Sequence, residues 1–171
     1  RIAKKLDAGA KHVIVVGGGF VGMELAESLR HRGLGVTLLE MGRQLLPTMD
    51  EEMSSLLAEE LRLAGIVVEL GATVSAFAPA DGGGMTATVK DGRSWTADLV
   101  ALCVGVKPNS QLASAAGLAV GPKGHIITDA AMRTADPDIF ALGDVVEVMD
   151  PVFGTPTAVP LAGPANRQGR I

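Results

Sequence analysis

Hydrophobic positions change their period along this chain, and the changes mark out its parts. Ile2 to Ala8 has the spacing of a helix tail, stopped by Gly9. His12-Val13-Ile14-Val15-Val16 is a nearly continuous apolar run, the pattern of a strand buried on both faces. Gly19 to Arg32 takes helical spacing, and His31-Arg32-Gly33 closes that helix with basic-type side chains and a glycine. A second strand is predicted over Val36 to Glu40, a second helix over Asp50 to Ala64, and a third strand over Ile66 to Leu70. In the second helix Asp50 is placed to cap, and Met53, Leu56, Leu57, Leu61 and Ala64 fall on one face, with Met49 and Met53 read as core packing.

Beyond Leu70 the period drops to two. Thr73 to Ala78, Met85 to Lys90 and Ser94 to Ala97 are short alternating segments, separated by the turn signals Asp81-Gly82-Gly83-Gly84 and Asp91-Gly92. They predict a three-stranded antiparallel meander inserted after a βαβαβ unit. Asp98 to Val104 is predicted to be another buried parallel strand, leading into Gly105-Val106-Lys107-Pro108-Asn109. From about Ser110 the chain turns Gly/Pro-rich. A short helix is predicted over Gln111 to Ala116, short strands over Gly124 to Thr128 and Ile139 to Leu142, and a further helix beginning at Gln168.

Chemistry concentrates between the first strand and the first helix. Gly17, Gly19 and Gly22 form a G-x-G-x-x-G pattern that leaves an apolar strand and opens a helix. Gly17 permits a tight turn, Gly19 lets a pyrophosphate approach the backbone, and Gly22 lets the helix pack close to the strand. The free N–H groups at the helix start suit phosphates. Glu40, at the end of the next strand, stands where a carboxylate accepts hydrogen bonds from an adenine ribose, which favours NAD(H) over NADP(H). Nearby Arg43 is a cation that could pair with a 2′-phosphate instead.

Composition narrows the function classes. Hydrophobic residues make up 47% and charged residues 20%, a globular balance, and the net charge is −4 with 3% aromatics. Such a chain lacks the basic surface and stacking rings of a nucleic-acid binder. Its apolar runs are too short for a membrane span. The single cysteine, Cys103, excludes an intrachain disulfide and reads as a buried, inert thiol; three scattered histidines give no metal cluster. A cytoplasmic location is expected. Both ends, at Arg1 and Ile171, read as cuts in a longer protein.

Three motifs in order resemble the pyridine nucleotide–disulfide oxidoreductases, which are FAD flavoproteins. They are Gly17–Ala26, Val104–Asn109 and Thr134–Asp144. The tail Pro160–Arg170 resembles the branch of NADH oxidases, NADH peroxidases and coenzyme A-disulfide reductases, the last type most of all. The resemblance implies an α/β fold: a Rossmann-like parallel sheet with an inserted three-stranded antiparallel meander, followed by a partial piece of the FAD domain. It implies an NAD(H)-binding domain over 1–110 and a partial FAD-domain return segment over 111–171.

Site residues follow from the same resemblance. Phe20 matches an aromatic that covers the flavin until nicotinamide displaces it, with Val21 beside it in the motif. Glu24 matches a glutamate at the nicotinamide end, and Gly105 a glycine against the bound NAD. Asp144 matches the aspartate on the FAD ribityl chain, and Leu161 and Ala162 match backbone donors near the flavin pyrimidine. The implied activity is positioning NADH for hydride transfer to FAD and on to a redox cysteine that lies outside this chain, in a homodimeric parent. No catalytic residue of its own is assigned to the chain, and alone it is expected to be inactive. A stand-alone NAD-sensing module is the alternative.

Overall fold

A computed structural model describes residues 2–170 and divides the chain into two compact units, 1–105 and 106–171. The first unit opens with helix α1 (Ile2–Asp7) and strand β1 (His12–Val16), followed by helix α2 (Phe20–His31) and strand β2 (Gly35–Leu39). Helix α3 (Glu51–Leu63) and strand β3 (Val67–Glu69) come next. The antiparallel meander is β4 (Val74–Pro79), β5 (Met85–Val89) and β6 (Ser94–Ala97), and β7 (Leu99–Leu102) closes the unit. The parallel sheet has the order β3-β2-β1-β7, with Val13 opposite Val36 on one side and Leu99 on the other.

Strand β1 is apolar at nearly every position because each of its faces meets a core. Val13 and Val15 join Ala26, Leu29, Val36, Leu38, Ala58 and Val68 in the helix-side core. Ile14 and Val16 join Leu39, Ala72, Ala87, Val89 and Ala97 in the core beneath the meander. Side chains alternate faces along a strand, so only a continuous apolar run can fill both layers. Each fully buried Val, Ile or Leu contributes roughly 1.5–3 kcal/mol.

The second unit is built from short pieces. Helix α4 (Gln111–Ala115) is followed by strand β8 (Ile126–Ile127), a 3-10 turn at Gly143–Val145, strand β9 (Val146–Met149), strand β10 (Pro156–Thr157) and helix α5 (Ala162–Gln168). Its sheet has the order β10-β9-β8.

Several sequence expectations need correction. The core-facing stripe of α3 is Ser54 and Ala58 with the expected Leu61 packed beside them and Leu57 half-buried, whereas Met53 and Leu56 are 52% and 57% exposed and Ala64 is exposed. Small residues let this helix sit close to the segment after β2, and Ser54 Oγ donates to the Leu45 carbonyl at 2.6 Å. Asp50 occupies the N-cap of α3 without a side-chain capping bond. The strand expected over Asp98 to Val104 is only Leu99–Leu102, and it is the sheet's edge: Leu102 is 61% exposed and Val104 is exposed too. Cys103 is half-buried. Ile139 to Leu142 forms no strand; Phe140 makes one isolated bridge with Arg133. The true strand starts after the Gly143–Val145 turn, and the last helix starts at Ala162 rather than Gln168. Pro164 hides that helix in the sequence, yet it lies in the first turn, where a missing N–H costs no intrahelical bond.

Asp98 carries a structural role that its position in an apolar run concealed. Its Oδ2 accepts the backbone N–H groups of Lys11 (2.7 Å) and His12 (2.9 Å), so it clasps the start of β1 beside β7. These two bonds hold its carboxyl below the ordinary carboxylate range. The carboxylate form therefore contributes stability above the unfolded-state value of about 3.9, and the contribution is lost as pH falls through the folded value. Asp98→Asn should show a smaller fall in melting temperature than the parent between about pH 5 and pH 3. Ser54→Ala should cost about 1–2 kcal/mol in urea unfolding, because the Leu45 carbonyl loses its partner in a buried place.

Candidate nucleotide-binding site

The glycine run leaves β1 and turns into α2. Gly17 has φ +109°, and its N–H donates to the Leu39 carbonyl at 2.8 Å. A Cβ there would lie 2.3 Å from the Cys103 carbonyl oxygen. At Gly22 a Cβ would lie 1.9 Å from the Gly17 carbonyl oxygen, so the first turn of α2 rests directly on the loop. Both glycines are required by the chain's own packing.

Gly19 differs. Its φ of −78° suits any residue, and a Cβ there would meet nothing within 4 Å. Nothing within the first unit demands a glycine at this place. What it leaves is bare backbone at the N-cap of α2, next to the first-turn amides that have no intrahelical acceptor. Phe20 and Val21, the first residues of the helix, are 59% and 67% exposed, and Glu24 is exposed one turn on.

Glu40 leaves the end of β2 and reaches back to the loop. Its Oε2 accepts the Gly18 N–H and its Oε1 accepts the Gly42 N–H at 2.6 Å. The Gly18 carbonyl in turn accepts the Leu46 N–H at 3.0 Å. Sequence reasoning gave Gly18 and Leu46 no role. A signal was present in the run of three glycines, where the pattern asks for only the first and third: a Cβ on Gly18 would lie 2.5 Å from Leu45 Cδ2 and 3.1 Å from Glu40 Cβ. Arg43 is exposed on the same segment. Gly105, with φ +97° and open space around it, follows two residues after the Cys103 carbonyl that abuts Gly17. Burial pushes the Cys103 thiol up, away from the thiolate that redox chemistry uses.

In the second unit, Asp144 is exposed in the Gly143–Val145 turn. The Gly143 N–H donates to Gln168 Oε1 at 2.8 Å, which ties this turn to α5. Leu161 is the N-cap of α5, with its N–H donated to the Val159 carbonyl at 2.8 Å, and exposed Ala162 is the first helical residue. The three residues of the second unit are thus brought onto one turn-and-helix pair.

Residues 1–169 match the family described as pyridine nucleotide-disulphide oxidoreductase. The chain belongs to that family. An NADH oxidase of Methanocaldococcus jannaschii is 37% identical over 166 residues, which cover 96% of this chain and 36% of that relative's length. The reduced CoADR-RHD of Bacillus anthracis superposes with a TM-score of 0.91 at 40% identity, over 98% of this chain and 30% of that one. The water-forming NADH oxidase of Lactobacillus brevis, bound to NADH, superposes at 0.89 with 34% identity, over 98% of this chain and 36% of that one. Its engineered NADPH-oxidase variant, bound to NADPH, gives 0.90 at 32%, over 98% and 37%. This chain of the oxidoreductase family therefore spans about a third of the length of the relatives it matches. Among its described residues no helix is long and apolar enough to cross a membrane.

Gly22→Ala is expected to lower the melting temperature, since its Cβ would lie 1.9 Å from the Gly17 carbonyl oxygen and the loop must shift to admit it. A thermal melt against the parent checks it.

Proposed function

We propose that the chain is the NAD(H)-binding region of an FAD-dependent pyridine nucleotide-disulfide oxidoreductase. The observation that carries this reading is Gly19. It is a glycine that neither its φ nor its neighbours require, placed at the bare N-terminus of a twelve-residue helix. A glycine costs backbone entropy on folding. A ligand whose phosphates approach that backbone gives it a purpose. Gly17 and Gly22 shape the turn, the amides from Gly19 to Val21 face the pyrophosphate, and Gly105 lies along the nucleotide. Exposed Phe20 is free to swing over a ring, with Glu24 one turn further on.

Glu40 is the ribose ligand in this reading, and NADH is preferred over NADPH. A carboxylate has about four acceptor sites, and two remain after Gly18 and Gly42 are served. A 2′-phosphate would meet this negative charge. In the engineered NADPH oxidase, the replaced glycine, aspartate and proline are spaced like Gly22, Glu40 and Pro47 here, which supports Glu40 as the discriminating position. Arg43 is the cation nearest in sequence.

The second unit is read as part of the FAD domain, with Asp144 toward the ribityl chain and Leu161 and Ala162 toward the flavin ring, Ala162 as the backbone donor because the Leu161 N–H is already given to the Val159 carbonyl. Exposed oxygens and a helix start fit a flavin's polar edge. FAD, when bound, supplies the hydride-accepting chemistry. The chain's own residues orient the nicotinamide and keep water from it, and the redox cysteine comes from sequence outside this chain. The parent is read as a cytoplasmic homodimer with no nucleic-acid or membrane partner. The match to an oxidoreductase family over 1–169 gives the sensing alternative no support.

Calorimetric titration of the purified protein with NADH and NADPH tests the reading, with Gly19→Ala alongside. The substitution should change stability by less than about 1 kcal/mol, because the N-cap has room for a Cβ. It should weaken NADH at least about tenfold. Unchanged NADH affinity in a folded Gly19→Ala protein would sink the assignment of the site.

A further inference from the structure

Glu40 does more in this chain than the ribose role asks of it. Its two oxygens hold two backbone amides from different segments: Gly18 in the glycine loop and Gly42 in the stretch that follows β2. Those segments are also joined by the Leu46 N–H to the Gly18 carbonyl. The Gly42 carbonyl accepts the Gly71 N–H at 2.8 Å, the Glu40 N–H donates to the Glu69 carbonyl, and the Glu40 carbonyl accepts the Ala72 N–H. The carboxylate is therefore anchored in the sheet, and through it the loop is anchored too.

The Gly18 N–H has a consequence for phosphate binding. It is already donated, so it does not serve a pyrophosphate, and the loop's free donors begin at Gly19. Fixing Gly18 at both its N–H and its C=O sets the direction of the peptide that leads to Gly19. Bare glycine backbone has no side chain to hold it, so without those bonds the run samples many conformations.

We infer that Glu40 is a positioning residue for the pyrophosphate loop, acting through Gly18 and Gly42, in addition to any contact with the ribose. This rests on the NAD-site reading above. Ribose recognition and loop order then share one carboxylate, and a substitution that abolishes the first also loosens the second.

A chemical double-mutant cycle separates the two roles. The protein and its Glu40→Ala variant are titrated with NADH and with an NADH analogue lacking both hydroxyls on the adenosine ribose. If Glu40 positions the loop, the variant binds the dideoxy analogue about tenfold or more weakly than the parent does, because a charged hydrogen-bond pair on the loop has gone. Equal affinity of the two proteins for the dideoxy analogue, with loss only for NADH, would overturn the inference and leave Glu40 a ribose ligand alone. No NADH binding by the parent would instead defeat the site assignment itself. Glu40→Gln keeps the side-chain volume and one acceptor oxygen, so its loss on the analogue should be intermediate; it carries the test if the alanine variant does not fold. Amide exchange at Gly18 and Gly42, followed by NMR without ligand, should quicken in both variants. Unchanged protection there overturns the inference equally. A merely global loss of stability would not alter analogue affinity measured well below the melting temperature.

Discussion

Everything in the first unit depends on one strand being buried from both sides. β1 lies between β2 and β7 in the sheet, and between the helices and the meander across it. Its C-terminal end is consequently fixed in all directions, and the glycine loop begins where that support stops. A loop that presents backbone amides needs this, because their aim can be no better than that of the strand that delivers them. The clasp of Asp98 on Lys11 and His12 secures the other end of the same strand.

The three glycines of the motif illustrate two different kinds of necessity. Gly17 and Gly22 answer to the protein, through contacts that a Cβ would violate. Gly19 answers neither to its φ nor to any neighbour within 4 Å. Sequence alone assigns all three to one motif, and only the surrounding space tells them apart. Gly18 adds a third kind, since its amide and carbonyl are both committed to the segment that follows β2.

Much of the first unit was legible because its elements are long and strongly patterned. β1, α2, β2 and the meander came within a residue or so of their predicted bounds, since periods of two and 3.6 are hard to confuse over such lengths. The face of α3 was legible only in part, at Leu61. Counting large apolar residues pointed to Met53 and Leu56, while close packing selected Ser54 and Ala58. The second unit was the least readable. Its strands β8 and β10 have two residues each, too few to show any period, and Pro164 obscured α5. At the site, the glycines and Glu40 were visible as types and spacings. The bonds from Glu40 to Gly18 and Gly42 were not, because backbone amides leave no mark in a sequence.

The contact between Gly17 and Cys103 also sets an order of assembly. β1 and β2 are neighbours in sequence and can pair as soon as both exist, whereas β7 joins β1 only after the whole meander has been made. Long-range pairings of this kind form late, since the intervening chain must first be closed. Until β7 docks, the loop at Gly17 lacks the backbone that flanks it, and the meander-side face of Ile14 and Val16 has no cover. A ribosome that has released only the first three parallel strands therefore holds a sheet that lacks Ala101 on its helix side and the meander on the other, and the loop at Gly17 is completed by residues that are among the last of the unit to be synthesised.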